Sequence, residues 1–506
     1  MTSREALDIY GEHVYDVPTL GLPRRTPDGK TYAAQPSPSE RLFLERARAA
    51  RPSFASKPGD QAAVAEICLR LEGLPLAIEL AASRARTLTP KALLDQLTER
   101  LDTLFSGPVD LPRRQRSMRG ALDWSYQLLD AAERQLFGRI AVFAGGAIVE
   151  AVASVCGDPS QPETVVSGVI ESLADKSLLT RTDVGDSTRF GMLEVVREYA
   201  LERLIESEGS SGLEGLHRAH AAHFAALADG AERALRGTDQ VQWLDRLEAE
   251  NPNFRAALAW SLQNREADLA GRLAAGLWPF WRARGYFREA RGWLEATLDL
   301  GSLLPAASRA AVLNGAGVLA ILYSNNQLAT TLLDESRELY QALGDLSGVA
   351  FALNNLGWAA YDGADPECAE AFFAESLRLR RELGDTWGEA HSINNLGMIA
   401  VSRDDARGAA TLFAESASVS RRAGDLMSLA QALTNQGWAL HLLGDYPRAS
   451  ALFSESLALG QRLQDSRGVA HNLTNLGLMA LYRGEYGKAR DLYTDSLSAF
   501  YELDDK

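Results

Sequence analysis

Cysteine is scarce in this 506-residue chain: Cys68, Cys156 and Cys368 stand far apart, with no C-x-x-C spacing among them. That excludes a disulfide framework and a thiolate zinc site, and leaves each sulfur as a small apolar side chain suited to a reducing compartment. Long apolar runs are missing too. None approaches the roughly 20 residues that cross a bilayer, and the N-terminal MTSREALDIYGEHVYD is no secretory signal. A cytoplasmic location and no membrane contact are expected. Positive charge is in short supply: 52 Lys and Arg face 67 Asp and Glu, a net −15, and residues 301–506 hold 16 against 25. So acidic a surface is a poor match for a phosphate backbone, and no direct nucleic-acid contact is expected. No G-x-x-x-x-G-K-[ST] string occurs to cradle phosphates, and no apolar strand ends in paired acids that would hold Mg²⁺. A non-enzymatic chain with no cofactor or metal of its own is the expectation.

What is present is repetition. Gly317, Gly357, Gly397, Gly437 and Gly477 recur every 40 residues, each followed after 12 by an alanine (Ala329, Ala369, Ala409, Ala449, Ala489) and after four more by Leu333, Phe373, Phe413, Phe453 or Tyr493. So fixed a period means a stacked array. Each unit carries the 3.6-residue rhythm of a half-buried helix twice, as at Leu353, Leu356, Ala360 and then Ala369, Phe373, Leu377. Gly344-Asp345, Gly384-Asp385 and Gly424-Asp425 join the units, glycine ending one helix and aspartate capping the next. Glycine within a helix costs about 1 kcal/mol against alanine, so the glycine column implies a helix contact too close for a Cβ, with the alanine column as its other side. The pattern resembles the tetratricopeptide repeat over about 200 residues, with units longer than the usual length of about 34. An earlier pair, GLWPFWRARGYFREARGWL from Gly276 to Leu294, fits the same scheme with Gly285-Tyr286 as its turn.

Two polar positions precede each glycine: Asn354 and Asn355, Asn394 and Asn395, Thr434 and Asn435, Thr474 and Asn475. The resemblance places them on the helix that lines the concave face. An amide offers one acceptor and two donors, which matches the backbone of an extended peptide. A protein or peptide partner in the groove and hydrogen bonds between neighbouring helices both stay open. At the far end Leu492, Tyr493, Leu497, Phe500 and Tyr501 should leave apolar surface exposed, pointing to self-association through the last repeat or to a covering segment.

Ahead of the repeats, residues 17–40 hold five prolines and no period, and read as a loop. Helical text follows, with Ser39 as N-cap of the first helix, Gly73-Leu74-Pro75-Leu76 as a stop and restart, and Thr89-Pro90 opening another helix. From residue 112, short helices with Asp130 as a cap lead into two strands around Val184–Ser187, the order of a winged helix. Its helix Thr164–Leu178 offers one base, Lys176, against Glu171 and Asp175, a further reason to expect no DNA contact. His217, His220 and His223 are read as incidental residues on a solvent-edge helix, because no Cys, Asp or Glu completes a metal set.

GLPLAIELAASRARTLTPKALLDQL resembles the lid of the NB-ARC-type signal-transduction ATPases, the STAND class, in which the motif's proline touches nucleotide. The resemblance makes Pro75 that proline and Arg4 the arginine that reaches the γ-phosphate, and it implies ATP or ADP with Mg²⁺ in a full-length relative. Met192-Leu193-Glu194 stands where the family has Met-His-Asp, so the phosphate-touching histidine is replaced by Leu193.

The fold expected is predominantly all-α: residues 1–38 a loop after sensor 1, 39–107 a helical lid, 108–205 a winged helix, 206–300 a helical connector with a first repeat-like pair, and 301–506 five tetratricopeptide repeats. The function expected is a non-catalytic regulatory scaffold, part of a STAND-type transcriptional regulator that receives a protein or peptide. The alternatives are an ATPase switch completed by a separate P-loop segment and a simple protein–protein adaptor.

Overall fold

In the computed structural model residues 19–23, 35–51, 60–86, 88–99, 118–157, 162–184, 187–235 and 239–502 are described. They are almost wholly helical, with one two-stranded antiparallel sheet. The chain divides into two compact units, residues 1–220 and 221–506.

In the first unit the opening helix is Pro38–Ala50, and its cap is Ser37 rather than Ser39: Ser37 and Glu40 form a reciprocal capping box with proline at the first turn. Ser39 is instead buried, and its hydroxyl donates to the Gly21 carbonyl at 3.0 Å. Gly73 ends the helical run before Pro75–Ser83 with φ +71°, and a Cβ there would lie 2.3 Å from the Leu20 carbonyl oxygen. Left-handed backbone and close approach together demand glycine. The winged portion follows as helices Ala131–Ile140, Val149–Cys156 and Glu163–Asp175, then strands Thr180–Val184 and Ser187–Gly191 paired in register Arg181↔Phe190. A single bridge from Ala147 to Phe190 ties the sheet to the turn between helices. Phe137, Val152, Ile170, Leu173 and Tyr199 make the core.

The second unit stacks helix pairs. Gln240–Gln263, Ala267–Arg284 and Phe287–Leu298 precede five repeats of a 17-residue first helix and a second of 17 or 18. Gly285 closes Ala267–Arg284 in the left-handed conformation, as its turn position predicts. The Asp caps act as expected: Asp345, Asp385 and Asp425 each accept from the backbone amide three residues on, and Asp465 does the same. The glycine column does mark a contact with no room for a Cβ, but its partner is not the alanine column. A Cβ on Gly357 would meet the Phe373 ring at 2.5 Å, and Gly317, Gly397 and Gly437 meet Leu333, Phe413 and Phe453 in the same way. The alanines face the next unit: Ala369 clusters with Ile399, and Ala409 with Ala439. A third column, of serines, ties the two helices of each unit. Ser336, Ser376, Ser416, Ser456 and Ser496 each donate to the carbonyl of the residue 26 earlier, Ala310 through Ala470, at 2.7–2.8 Å. Small, β-oxygenated and almost fully buried, these serines tie each second helix to its first.

Candidate functional site

The two-residue polar columns lie on the first helices, where they form a ladder. Asn355 Nδ2 donates to Asn314 Oδ1 at 3.0 Å, Asn395 to Asn354 at 2.9 Å and Asn435 to Asn394 at 3.0 Å. The ladder stops at Thr434, whose hydroxyl bonds the Ala430 carbonyl, Ser456 and Asn472 within its own neighbourhood. Thr474 likewise turns to Ala470 and Ser496. Asn475 is buried at 6% exposure with no rung to donate to. The bonds between helices are therefore present from Asn314 to Asn435.

A cavity of about 480 Å³ opens beside this ladder. Asn354, Asn355 and Asn395 line it, whereas Asn394, Thr434, Asn435, Thr474 and Asn475 do not. Its aromatic wall runs Trp278, Phe351, Trp387, His391, with ring centroids 5.9, 6.2 and 4.4 Å apart in turn. Arg282 stands over Trp278 and Arg380 over Trp387, each 5.9 Å from the centroid, a separation at which guanidinium and ring attract. Arg380 is 2% exposed and donates from Nη1 to the Gly388 carbonyl at 2.5 Å.

A polar clasp bridges the rim. Gln240, first residue of its helix, donates from Nε2 to Asp425 Oδ1 at 2.6 Å and to the Leu235 carbonyl at 2.7 Å, and its Oε1 accepts from Met427 N. Asp425 also caps Leu426–Leu442, accepting from Ser428 N at 3.1 Å. Residues 185 apart in sequence thus close the groove between the helices ahead of the repeats and the fourth repeat. Gln240 and Asp425 are both 1% exposed, and Asp425 Oδ2 has no hydrogen-bond partner among the described residues. Sequence reading missed the clasp, because neither residue belongs to a shared column. The aromatic wall carried a faint signal: Phe351 and Trp387 lie just ahead of the asparagine pairs.

The remaining predicted residues are dispersed. Pro75 is exposed at the first turn of Pro75–Ser83. Arg4 lies outside the described residues. Glu194, of Met192-Leu193-Glu194, donates its amide to the Glu72 carboxylate at 2.6 Å. Burial pushes the Glu72 carboxyl up, against the lowering effect of that bond. The histidines are packed rather than solvent-edge. His220 is 2% exposed, with its ring 5.2 Å from Phe143, and burial lowers the imidazoles of His217 and His223. Among the described residues no three His, Cys, Asp or Glu side chains are grouped to hold a metal, and no helix is long and apolar enough to cross a membrane. At the end of the array Leu497 and Tyr501 are exposed, while Phe500 is half-buried against the His471 ring.

In the winged portion Lys176, the lone base of the expected recognition helix, is committed internally. Its ammonium and the Ser172 hydroxyl both donate to Glu133 Oε1. Burial raises the Glu133 carboxyl, and the bonds from Lys176, Ser172 and the Asp130 amide outweigh it, leaving it below the usual range. Arg181, on the first strand, pairs with Asp175 at 2.7 Å.

Residues 388–462 and 441–502 match the tetratricopeptide-repeat family model, and residues 129–205 match the winged helix-turn-helix domain. A proposed HTH-type transcriptional regulator of Mycobacterium tuberculosis is 34% identical over 298 residues, which are 59% of this chain and 32% of that protein. An uncharacterized protein of the same organism is 34% identical over 207 residues, 41% of this chain and 49% of its own length. The chain thus matches between about a third and a half of the length of these relatives. Among solved structures, a STAND protein with a tetratricopeptide-repeat sensor from Pyrococcus horikoshii aligns at TM-score 0.45 and 13% identity, over 92% of this chain and 66% of that one. A Rap protein complexed with Competence and Sporulation Factor aligns at 0.42 and 14%, over 62% and 86%. Likeness at that level carries no weight for function.

These matches assign a winged helix-turn-helix domain to residues 129–205 and tetratricopeptide repeats to residues 388–502. Both matched families are binding modules, which supports a non-catalytic reading. They also overturn the expectation of no nucleic-acid contact, because the winged helix-turn-helix is a DNA-binding module. The charge count that led there spoke for one helix and for net charge. Net charge governs long-range attraction, whereas groove contacts are made by individual side chains on several elements of such a module.

Proposed function

We propose that this chain is a regulatory scaffold whose repeat groove receives a peptide or a segment of a partner protein, within a cytoplasmic HTH-type transcriptional regulator. The carrying observation is the cavity beside the asparagine ladder. It combines a wide aromatic wall with a few convergent polar groups, the make-up of a ligand site, and its volume falls in the range of about 300–1,000 Å³ common for such sites. The asparagine pair suits a peptide backbone. Asn355 spends its amide donor on the ladder and Asn354 its acceptor, so Asn354 Nδ2 and Asn355 Oδ1 keep no partner among the described residues. One can donate to a peptide carbonyl and the other accept from a peptide N–H. A degenerate hexapeptide pool equilibrated with the purified chain tests this. Retention that disappears in Phe351→Glu is expected; retention indifferent to Phe351→Glu counts against the groove.

The lid-like helices belong to the same reading, with Pro75 as a nucleotide contact of a STAND-type relative. Titration with ADP, and its loss in Pro75→Ala, tests that part. A simple adaptor is the second reading, favoured by both family matches being binding modules. Under it Pro75→Ala leaves function unchanged while Phe351→Glu does not.

A further inference from the structure

We infer that the groove takes a compact organic acid, an apolar or aromatic body carrying one carboxylate, with Arg282 as the acceptor of the anion. This deepens the reading of the groove as the receiving site, and rests on it. Two observations carry it: the unspent charge of Arg282 and the closure of the rim.

The described cavity lining holds two guanidinium groups of opposite character. Arg380 is buried and committed to the Gly388 carbonyl. Arg282, in the last turn of Ala267–Arg284, has neither a hydrogen bond nor an ion pair among the described residues. Arg282 is solvent-exposed as a residue, yet protein crowds its guanidinium at the groove. That crowding lowers its proton affinity, against the pull of Asp425 across the cavity. Asp425 makes no ion pair with Arg282 among the described residues: its Oδ1 accepts from Gln240, Met427 N and Ser428 N, and its Oδ2 has no partner there. A forked cation with five free donors, partly desolvated beside Trp278, matches a carboxylate in geometry and charge. The body attached to that carboxylate would lie along Trp278, Phe351 and Trp387, with the uncommitted amide ends of Asn354 and Asn355 beyond it. Size follows from the clasp. The Gln240–Asp425 bond bounds one side of a partly open cavity of about 480 Å³, a volume that suits a ligand of a few residues better than a long protein segment. The carboxylate has two sources, the C-terminus of a short peptide or a free aromatic acid.

The experiment is equilibrium dialysis of the full chain, read by mass spectrometry, against two degenerate tripeptide pools, one with free and one with amidated C-termini, and against indole-3-carboxylate and benzoate. Free acids from one or both sources are expected to be retained at least tenfold over the amidated pool, and the arm that binds identifies the source. Arg282→Gln should lower that retention at least tenfold. Arg282→Lys should lower it less, keeping the charge without the fork, and thermal unfolding should be unchanged in both. Equal retention of acids and amides, or full retention by Arg282→Gln, overturns the assignment; if Phe351→Glu still abolishes binding, the groove reading stands alone. Failure of the wild-type chain to retain any pool or acid overturns both.

Discussion

The first four repeats and the last share one period but not one chemistry. From Asn314 to Asn435 each rung joins consecutive first helices, and the cavity lies alongside. From Thr434 on, the rung is replaced: Thr434 bonds its own unit and Asn472 of the next, Thr474 bonds Ala470 and Ser496, and no rung from Asn475 is formed among the described residues. The bulky column changes in step: Phe373, Phe413 and Phe453 are fully buried, whereas Tyr493 is half-exposed and leaves Gly477 more room. A solenoid unit is stabilised by its neighbours, so the repeat that adds least to the shared core is the one where column residues are freest to differ. Periodicity sets the scaffold, and departures from it mark the repeat that contributes least to the shared core and the groove.

The largest difference is expected from the bulky column. Phe373→Ala empties a fully buried site and should cost about 3–5 kcal/mol, while Tyr493→Ala should cost much less; urea unfolding of both variants measures the gap, and equal losses would mean the two halves are packed alike. Next come the rungs. Asn395→Leu strands the Asn354 acceptor and should cost about 1–3 kcal/mol, whereas Asn475→Leu breaks no rung and should stay near neutral, a contrast readable by hydrogen exchange in the flanking helices. A smaller effect separates the winged portion from the repeats in acid. The Glu133 carboxyl titrates below its unfolded value near 4.5, so its contribution is complete above that value and fades as pH falls through the lower folded one. Glu133→Gln should flatten the pH dependence of unfolding of residues 118–205 there and leave the repeats untouched. The smallest effect belongs to the turns. Ala364 occupies with φ 61° a position equivalent to Gly444 and Gly484. Ala364→Gly should stabilise the second repeat by about 0.5–1 kcal/mol, the left-handed strain released less the entropy glycine adds to the unfolded chain; a lower melting temperature would refute it.

Local sequence was enough for everything that one helix or one turn settles. The 40-residue period, the Asp caps, the left-handed Gly285 and the hairpin after Asp175 all follow from spacing and residue type, because capping and helical faces are decided within a few residues. Reading failed first where two positions compete for one role. Ser37 and Ser39 are both good caps, and only the approach of Gly21, 18 residues away, assigns Ser39 elsewhere. It failed again where a column has two neighbours. Small residues at two positions 12 apart imply a close contact between them, yet the glycine meets the aromatic of its own unit and the alanine meets the next unit. The groove lay furthest beyond reach. That Asn354 and Asn355 fill two polar positions recurring in each repeat was visible along the chain, but that Gln240 closes on Asp425 while Arg282 stands without an ion pair at the groove is set by how far each repeat rotates on the one before. That rotation accumulates from many small side-chain contacts, none of which leaves a signature in sequence spacing.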